Sequence, residues 1–517
     1  MAGVRGPALA LVAMLEALIT GLGRSHRTCA LLLAPGFERV RWRVGRWRAW
    51  RAFHRARRRV PAYRRFVAAA GGATGPGTAP ETDKAAYILP NRLEDLCRNG
   101  HLPERGVVLD ESSGSSGTPT TWVRGPAERR ATAQMLRTTF LRSIGAGPVV
   151  VINAFALGAW ATGMNVTMAL AGVCRIKSTG PDPDKVIDTI TRLGRDHRYV
   201  VLGYPPLLKD IADDRRIDLA GHDVTAGFGG EGLSENMRAY LLRSYRRVIG
   251  SYGASDLEIN IAAETEFTIA LRRELGVNAG LRSALTRTEL GVTPMIFQYN
   301  PLDFVLETNA GGELLVTVCR AACLSPRIRY NIHDVGHVRR MPDLRRLLVA
   351  HGAAHLLDHA TLDLPVLFHY GRSDASLDYY GAVVTPDGLR EALYATPELA
   401  ERMREFRLAA YEDGHGTRRL VFAVELQPGR GVDDLDVDAA GAKVVRHLMA
   451  RNGDFANACR IAAACARPRL RVFAAGTGPF AAATGLKYRY VSEFDDEQAR
   501  HLGLSSGRPR TPVRHVE

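Results

Sequence analysis

Cysteine is scarce in this sequence, and what there is makes no pattern. Seven residues (Cys29, Cys97, Cys174, Cys319, Cys323, Cys459, Cys465) are an odd number without a CxxC pair, which argues against both a zinc ribbon and a disulfide framework. A reducing, cytoplasmic setting is the expectation. Long apolar runs are also missing. The stretch "PALALVAMLEALITGLG" (7–23) is short and interrupted by Glu16, so it predicts an amphipathic or core helix rather than a membrane span. It lacks a dense basic leader and a clear small-residue cleavage site, so it does not read as a signal peptide; a peripheral membrane contact is the lesser expectation. There is no fixed-period repeat.

What is present is the composition of a folded protein: 517 residues, 46% hydrophobic and 24% charged, enough for two or more domains with sizeable cores. The net charge of +15 is unevenly spread. Arg39 to Arg65 holds twelve arginines and no acid, interleaved with Trp42, Trp47, Trp50, Phe53 and Tyr63. Arginines among aromatics suit a single-stranded nucleic-acid groove. No nucleic-acid-binding motif accompanies them, however, and the spacing of Trp50, Phe53 and Arg57 predicts a solvated helix with rings inward and guanidinium groups outward. Nucleic-acid binding is therefore not expected.

Beyond the Gly/Pro-rich break "AAAGGATGPGTAPETDK", short apolar runs alternate with helical stretches: "PVVVINAF", "DKVIDTITRLGRDH", "YVVLGYPP", "LLKDIADDRR". Such alternation predicts an α/β sheet. "GGELLVTV" and "SPRIRYNIHDVGHV" read as β-rich, and "DGLREALYATPELAERMREFRLAA" as helix. In the last segment "RLVFAVELQ" and "RLRVFAA" read as strands and "AAGAKVVRHLMARN" as helix, before an Arg/Pro-rich tail.

The run "SSGSSGTPT" (112–120) has two readings. Ser/Gly tracts are often flexible connectors, but glycines also let backbone N–H groups converge on an anion, and hydroxyls add donors. It is not a Walker A loop, because Gly117 is followed by Thr118 and Pro119, not by lysine. The strand edge and long helix that follow in "TTWVRGPAERRATAQMLRTTFLRSIG" favour the anion loop.

These residues resemble the first signature of the adenylate-forming superfamily, in its phenylacetate–coenzyme A ligase-like branch. Further matches follow in the family's order. "FHRARRRVPAYRRF" resembles the branch's N-terminal helix, "GGEGLSENMRAYL" its adenine-side stretch, and "YGASDLE" the Tyr-Gly-x-Thr-Glu signature. "GELLVT" with "PRIRYNIHD" resembles the Ile-Arg-Tyr-x-x-x-Asp region, and "YGRSDASLDYYGAVVTP" the hinge. The resemblance implies a large N-terminal adenylate-forming domain of several subdomains plus a small mobile α+β C-terminal domain. The boundaries expected are a helical lead over 1–75, the ATP- and acid-binding domain over 76–370, the C-terminal domain over 371–505, and a tail over 506–517.

The implied activity is ATP- and magnesium-dependent conversion of a small carboxylic acid to an acyl-adenylate with pyrophosphate release, then transfer to coenzyme A. Transfer to a carrier-protein thiol or an amine, and a catalytically weak nucleotide-binding homologue, are the alternatives. By resemblance, Ser112, Ser113, Gly114, Ser115, Ser116, Gly117 and Thr118 surround the phosphates. Gly229, Gly230 and Glu231 line the adenine, and Tyr252, with Gly253 beside it, stacks on it. Ser255 stands where the family has a phosphate-touching threonine, and Asp256 where it has the glutamate associated with magnesium; aspartate is one methylene shorter but still a hard oxygen ligand. Asp334 matches the aspartate that holds the ribose hydroxyls, and Arg329 and Arg372 match arginines near the nucleotide and hinge. Asp374 matches the hinge itself. Lys487 stands for the C-terminal lysine that contacts carboxylate and phosphate oxygens, although its Gly485-Leu486-Lys487 spacing departs from the usual Gly-Lys. Ile332-His333 replaces the family's Thr-Gly, so a different local turn is expected, with His333 as a turn residue. Thr265 stands in a segment where the branch often has cysteine, so no zinc is expected there. Phe155, Trp160 and Tyr204 read either as a slot for a flat acid or as ordinary core aromatics. Cys319 and Cys323 read as small core residues.

Overall fold

The structure is a computed structural model that describes residues 5–23, 25–111, 120–159, 161–290, 292–320, 322–372, 376–379, 382–413, 418–462, 467–481 and 490–505. The chain divides into two compact units. One comprises Met1–Gly232, Leu241–Ala284 and Pro294–His369, and the other Leu233–Tyr240, Leu285–Thr293 and Tyr370–Glu517.

The first unit begins with helices α1 (Arg5–Leu22), α2 (His26–Leu32), α3 (Glu38–Arg59) and α4 (Pro61–Ala69), then a hairpin of β1 (Val108–Glu111) and β2 (Thr121–Arg124), and α5 (Pro126–Ile144). An alternating stretch follows: β3 (Val149–Asn153), α6 (Ala161–Leu170), β4 (Arg175–Ser178), α7 (Pro183–Leu193), β5 (Arg198–Gly203), α8 (Pro205–Asp213), β6 (Asp223–Gly229) and β7 (Arg247–Tyr252). Then come β8 (Ala262–Ala263), β9 (Met295–Tyr299), β10 (Phe304–Thr308), β11 (Glu313–Val318), β12 (Tyr330–Arg339) and β13 (Val366–Arg372). Strands β3 to β13 make one eleven-stranded sheet in the order β10-β11-β12-β13-β9-β8-β7-β6-β5-β3-β4. From β7 to β4 the pairing is parallel. On the other side β7–β8, β8–β9, β9–β13, β12–β11 and β11–β10 pair antiparallel.

Local chemistry explains the parallel half. Every residue of β3, "VVVIN", is buried, as a parallel strand covered on both faces requires. Helix α7 starts where Pro183 occupies the first turn and the Asp182 carboxylate accepts from Lys185 N at 3.1 Å, a cap plus a proline that needs no donor. The chain runs from β3 out to the edge at β4 and returns to β5 on the far side of β3. That reversal is a topological switch point, where a crevice opens at the carboxyl ends of the strands.

Helix α3 forms where expected, but its arginines do not all face water. Phe53 is fully buried and Trp47 is 46% exposed. Arg41 is buried, donating to Ala34 O at 2.6 Å and Asp363 O at 2.7 Å, and buried Arg48 donates to Leu302 O. The expectation of guanidinium groups outward is corrected for these two. A buried carbonyl needs a donor, and arginine reaches it with a long apolar stem.

In the second unit β14 (Leu377–Tyr379) pairs with β15 (Ala382–Val384). Strands β16 (Met403–Glu412), β17 (Arg418–Leu426), β18 (Arg469–Phe473) and β19 (Val491–Phe494) form a sheet in the order β18-β17-β16-β19. Its core includes Tyr411, Val421, Phe480, Ala499 and Leu504. The helical reading of 387–410 holds for the helix Pro386–Tyr394 and the short helix Pro397–Ala400 and is corrected beyond them: "MREFRLAA" is strand. Strand β16 is flanked by β17 and β19, and Leu408, Ala409 and Ala410 are all buried. A strand covered on both faces shows no alternation to betray it. The molecule is therefore α/β, with a large first unit built on the big sheet and a smaller unit built on its own sheet.

Candidate active site

Phe155, Tyr204, Gly230 and the segment from Tyr252 to Asp256 follow the carboxyl ends of β3, β5, β6 and β7, which are adjacent and parallel. Asn153, last in β3, donates to Gly163 O (2.7 Å) and Thr167 Oγ1 (2.8 Å) and accepts from Phe155 N (3.3 Å), so the turn that presents Phe155 is fixed by one buried amide. The Phe155 ring meets Tyr204 edge to face at 5.3 Å. Burial, with a smaller contribution from the Glu231 carboxylate, pushes the Tyr204 hydroxyl up to about 12, so it remains a neutral donor at ordinary pH. Gly230 has φ +80°, and a Cβ there would lie 2.9 Å from Tyr204 Cε1; the backbone can turn past that ring only as glycine. Trp160 lies outside the described residues, as do Ser112 to Thr118, Asp374 and Lys487.

After β7 the chain closes a tight loop, with Ala254 N bonded to Glu258 O (2.9 Å) and Ile261 N to Tyr252 O (2.8 Å). A Cβ on Gly253 would stand 2.4 Å from the Ile259 carbonyl carbon, so the crossing demands glycine. The loop carries two polar pairs. The Tyr252 hydroxyl donates to Asp334 Oδ2 at 2.7 Å, and the Tyr330 hydroxyl donates to Asp256 Oδ2 at 3.1 Å. Burial and the Asp256 carboxylate both push the Tyr330 hydroxyl well above the usual tyrosine range, which keeps it a donor to that carboxylate. Ser255 sits beside Asp256, its Oγ 3.5 Å from Asp256 Oδ1.

Residues that sequence reasoning did not single out build the support. Arg327 donates from Nε to Asp256 O at 3.0 Å and lies over the Trp122 ring at 4.8 Å. Arg124, at the end of β2, donates to Ser255 O and lies 3.7 Å from Asp110. The hairpin whose strands flank residues 112–119 is thereby tied to the Tyr-Gly loop. His369 is the third: its ring lies 4.8 Å from that of Tyr252, and its Nε2 is 3.3 Å from Asp334 Oδ2 without hydrogen-bond alignment, leaving a buried nitrogen unsatisfied. The signal for His369 was its place in "FHYGRSD", just ahead of the hinge signature.

Asp334 is aimed by an irregularity in β12. Against β11, Leu315 pairs with Asn331 but Glu313 pairs with Val335, so β12 bulges, and His333 within it has φ +64°. Bulges re-aim side chains beside functional sites. Asn331 Oδ1 accepts from His333 N at 2.7 Å, Asn331 Nδ2 donates to Glu313 at 2.7 Å, and His333 Nδ1 is 3.2 Å from Glu313. A histidine thus fills a backbone conformation that glycine adopts without cost. His333→Val is expected to destabilise the protein by about 1–2 kcal/mol and His333→Gly by less than about 0.5 kcal/mol, read from denaturant unfolding; equal effects would show that the conformation is not the constraint.

Tyr252 is thus brought to Asp334, and Ser255 to Asp256. The Arg329 guanidinium goes elsewhere, with donations to Ala79 O (2.7 Å) and Gly77 O (3.2 Å) and Glu307 at 3.6 Å. Arg372 is exposed at the end of β13, in the second unit. Cys319 and Cys323 are buried, and burial pushes both thiols up. Among the described residues, no group of three or more His, Cys, Asp or Glu side chains is arranged to hold a metal.

No protein-family model matches the sequence, and no curated protein matches it either. Solved structures do. A 2-hydroxyisobutyryl-CoA ligase in the postadenylation state with 2-HIB-AMP superposes with a TM-score of 0.65 at 14% identity, over 92% of this chain and 94% of that one. The same ligase with R3-HIB-AMP gives 0.64 at 14% identity, over 90% and 92%. With 2-HIB-AMP and CoA in the thioesterification state it gives 0.51 at 15% identity, over 91% and 92%. The chain shares its fold with this ligase.

Proposed function

We propose that the protein activates a carboxylic acid with ATP, releasing pyrophosphate, and passes the acyl group of the resulting adenylate to coenzyme A. The observation that carries this reading is the Tyr252–Asp334–His369 cluster at the carboxyl ends of the parallel strands. An acceptor-only carboxylate, oriented by one hydroxyl and standing beside an unsatisfied buried nitrogen, suits the two hydroxyls of a ribose. The fold shared with a CoA ligase crystallised with acyl-AMP and CoA supports it.

In this reading Asp334 fixes the ribose, and the edge of Gly230 and Glu231 borders the adenine. The hydroxyl-rich segment Ser112 to Thr118 surrounds the triphosphate, with Lys487 neutralising its charge. Phe155 and Tyr204 face the acid. The substrate carboxylate oxygen attacks the α-phosphorus and pyrophosphate departs; the chain's part is positioning and charge stabilisation. Magnesium needs only one or two protein carboxylates beside substrate phosphates and water, and Asp256, steadied by Tyr330 and Arg327, fits that role; bound there, the ion would offset phosphate charge. Arg372 and Asp374 stand at the hinge for the second half-reaction, in which a thiol takes the acyl group and AMP leaves. Transfer to a carrier-protein thiol or an amine is the alternative second step.

Pyrophosphate release should appear with ATP, magnesium and at least one acid of a broad carboxylic-acid panel, and adding coenzyme A should convert the adenylate to a thioester. Lys487→Ala should lower that acid-dependent release by about 100-fold, the cost of leaving developing phosphate charge without its cation. ATP binding with no acid-dependent release would instead favour a nucleotide-binding homologue, a reading motivated by Ser255-Asp256 standing where the superfamily has Thr-Glu.

A further inference from the structure

Of the fifteen large hydrophobic side chains exposed among the described residues, seven lie between residues 11 and 47. They are ordered. Phe37, which caps α3, and Val40 and Trp47 within it are 58%, 56% and 46% exposed, and half-buried Val44 falls between them. This i, i+3, i+7, i+10 spacing makes one stripe along the helix. Arg39 and Arg43 are exposed on the flank of the stripe, and no ion pair engages them among the described residues, while exposed Arg46, further round the helix, acts electrostatically on Glu307.

Helix α1 extends the same surface. Arg51, four residues beyond Trp47 and so on its face of α3, forms an ion pair with Glu16 of α1; α1 therefore lies on the side of α3 that bears the stripe. With Glu16 turned toward α3, Leu11, Met14 and Leu18 fall on the opposite side of α1, and they are 47%, 66% and 59% exposed. The residues of α1 whose side chains are exposed among those described are Ala10, Leu11, Met14, Ala17, Leu18, Thr20 and Gly21, none of them charged. No described helix is long and apolar enough to cross a membrane.

We propose that this N-terminal surface docks on a lipid bilayer with anionic headgroups, with α1 lying in the interface, the Phe37–Trp47 stripe at its level, and Arg39, Arg43 and Arg46 on the phosphates. An uncharged apolar face backed by an aromatic stripe and an arginine row is the pattern of an interfacial helix. A nucleic-acid groove has no use for Leu11, Met14, Leu18 and Val40, which offer bases nothing to stack on. A second copy would bring two rows of like-charged arginines together.

The test is flotation of the full chain with vesicles of phosphatidylcholine alone and of phosphatidylcholine mixed with phosphatidylglycerol. Binding to the mixed vesicles should exceed binding to the neutral ones by at least about tenfold, and fall by about tenfold in an Arg39→Ser, Arg43→Ser, Arg46→Ser variant. It should fall similarly in Leu18→Glu and in Trp47→Glu, all at exposed positions where the fold tolerates change, with retained far-UV circular dichroism as the control. Absence of flotation would overturn the proposal, as would equal binding to both vesicles. Binding to single-stranded RNA that is lost with the arginines but indifferent to Leu18→Glu and Trp47→Glu would assign the surface to nucleic acid. Without flotation, a dimer in sedimentation velocity dissolved by Leu18→Glu would assign it to a second copy.

Discussion

Asp334→Ala is expected to lower acid-dependent pyrophosphate exchange by about 100-fold, with most of the loss in the KM for ATP. Hydrogen bonds to a charged group contribute roughly 1.5–3 kcal/mol each, and a ribose presents two hydroxyls to one carboxylate. Tyr252→Phe separates orientation from binding. It removes the 2.7 Å donation to Asp334 Oδ2 but leaves the charge, so a loss of about 3- to 10-fold is expected, the worth of one steadying hydrogen bond. Full exchange activity in Asp334→Ala would remove the nucleotide from this cluster and with it the proposed reaction geometry.

Arg320→Met is expected to destabilise the first unit by about 3–5 kcal/mol, because it strands a buried carboxylate. Arg320 Nη1 lies 2.7 Å from Glu258 Oε1 and its Nε 3.3 Å from Asp303 Oδ1, while Arg48 approaches the same Asp303 oxygen at 3.8 Å. Glu258 and Arg320 are 5% and 6% exposed, and Glu258 also accepts from Thr132 Oγ1. This network joins α3, α5, the approach to β10 and the Tyr-Gly loop that carries Asp256, so its loss should loosen the candidate site as well. Thermal unfolding should drop by on the order of 10 °C. A Glu258→Gln, Arg320→Met double variant should be less destabilised than the single one, since it removes the uncompensated charge. If Arg320→Met shifts stability by less than about 1 kcal/mol, water reaches the pair and the site is more open than its burial implies.

Much of this was legible in the residues. The apolar run "VVVIN" and its helical neighbours announced an α/β sheet, because short apolar runs alternating with amphipathic stretches need a sheet covered by helices. The order of the Ser/Gly run, "YGASDLE", "RYNIHD" and "YGRSD" carried the resemblance to adenylate-forming enzymes, and the chain has the fold of a CoA ligase. Ile332-His333 in place of Thr-Gly drew attention to this turn, where the backbone bulges with His333 at φ +64°. Glycines were equally readable, because the close crossings at Gly230 and Gly253 leave no room for a Cβ.

The sequence by itself determined the alternation of elements and the order of the motifs, since periodicity and residue chemistry act over a few neighbouring positions. Tertiary structure alone decided which arginine serves which purpose. Arg327 supports Asp256, Arg329 turns from φ +46° to clasp Ala79 and Gly77, Arg320 meets Glu258, and Arg41 and Arg48 go inward to carbonyls. Their partners lie far off in sequence, and a long, multiply donating side chain takes its direction from the acceptor that burial leaves unsatisfied, not from its place in a helix or strand.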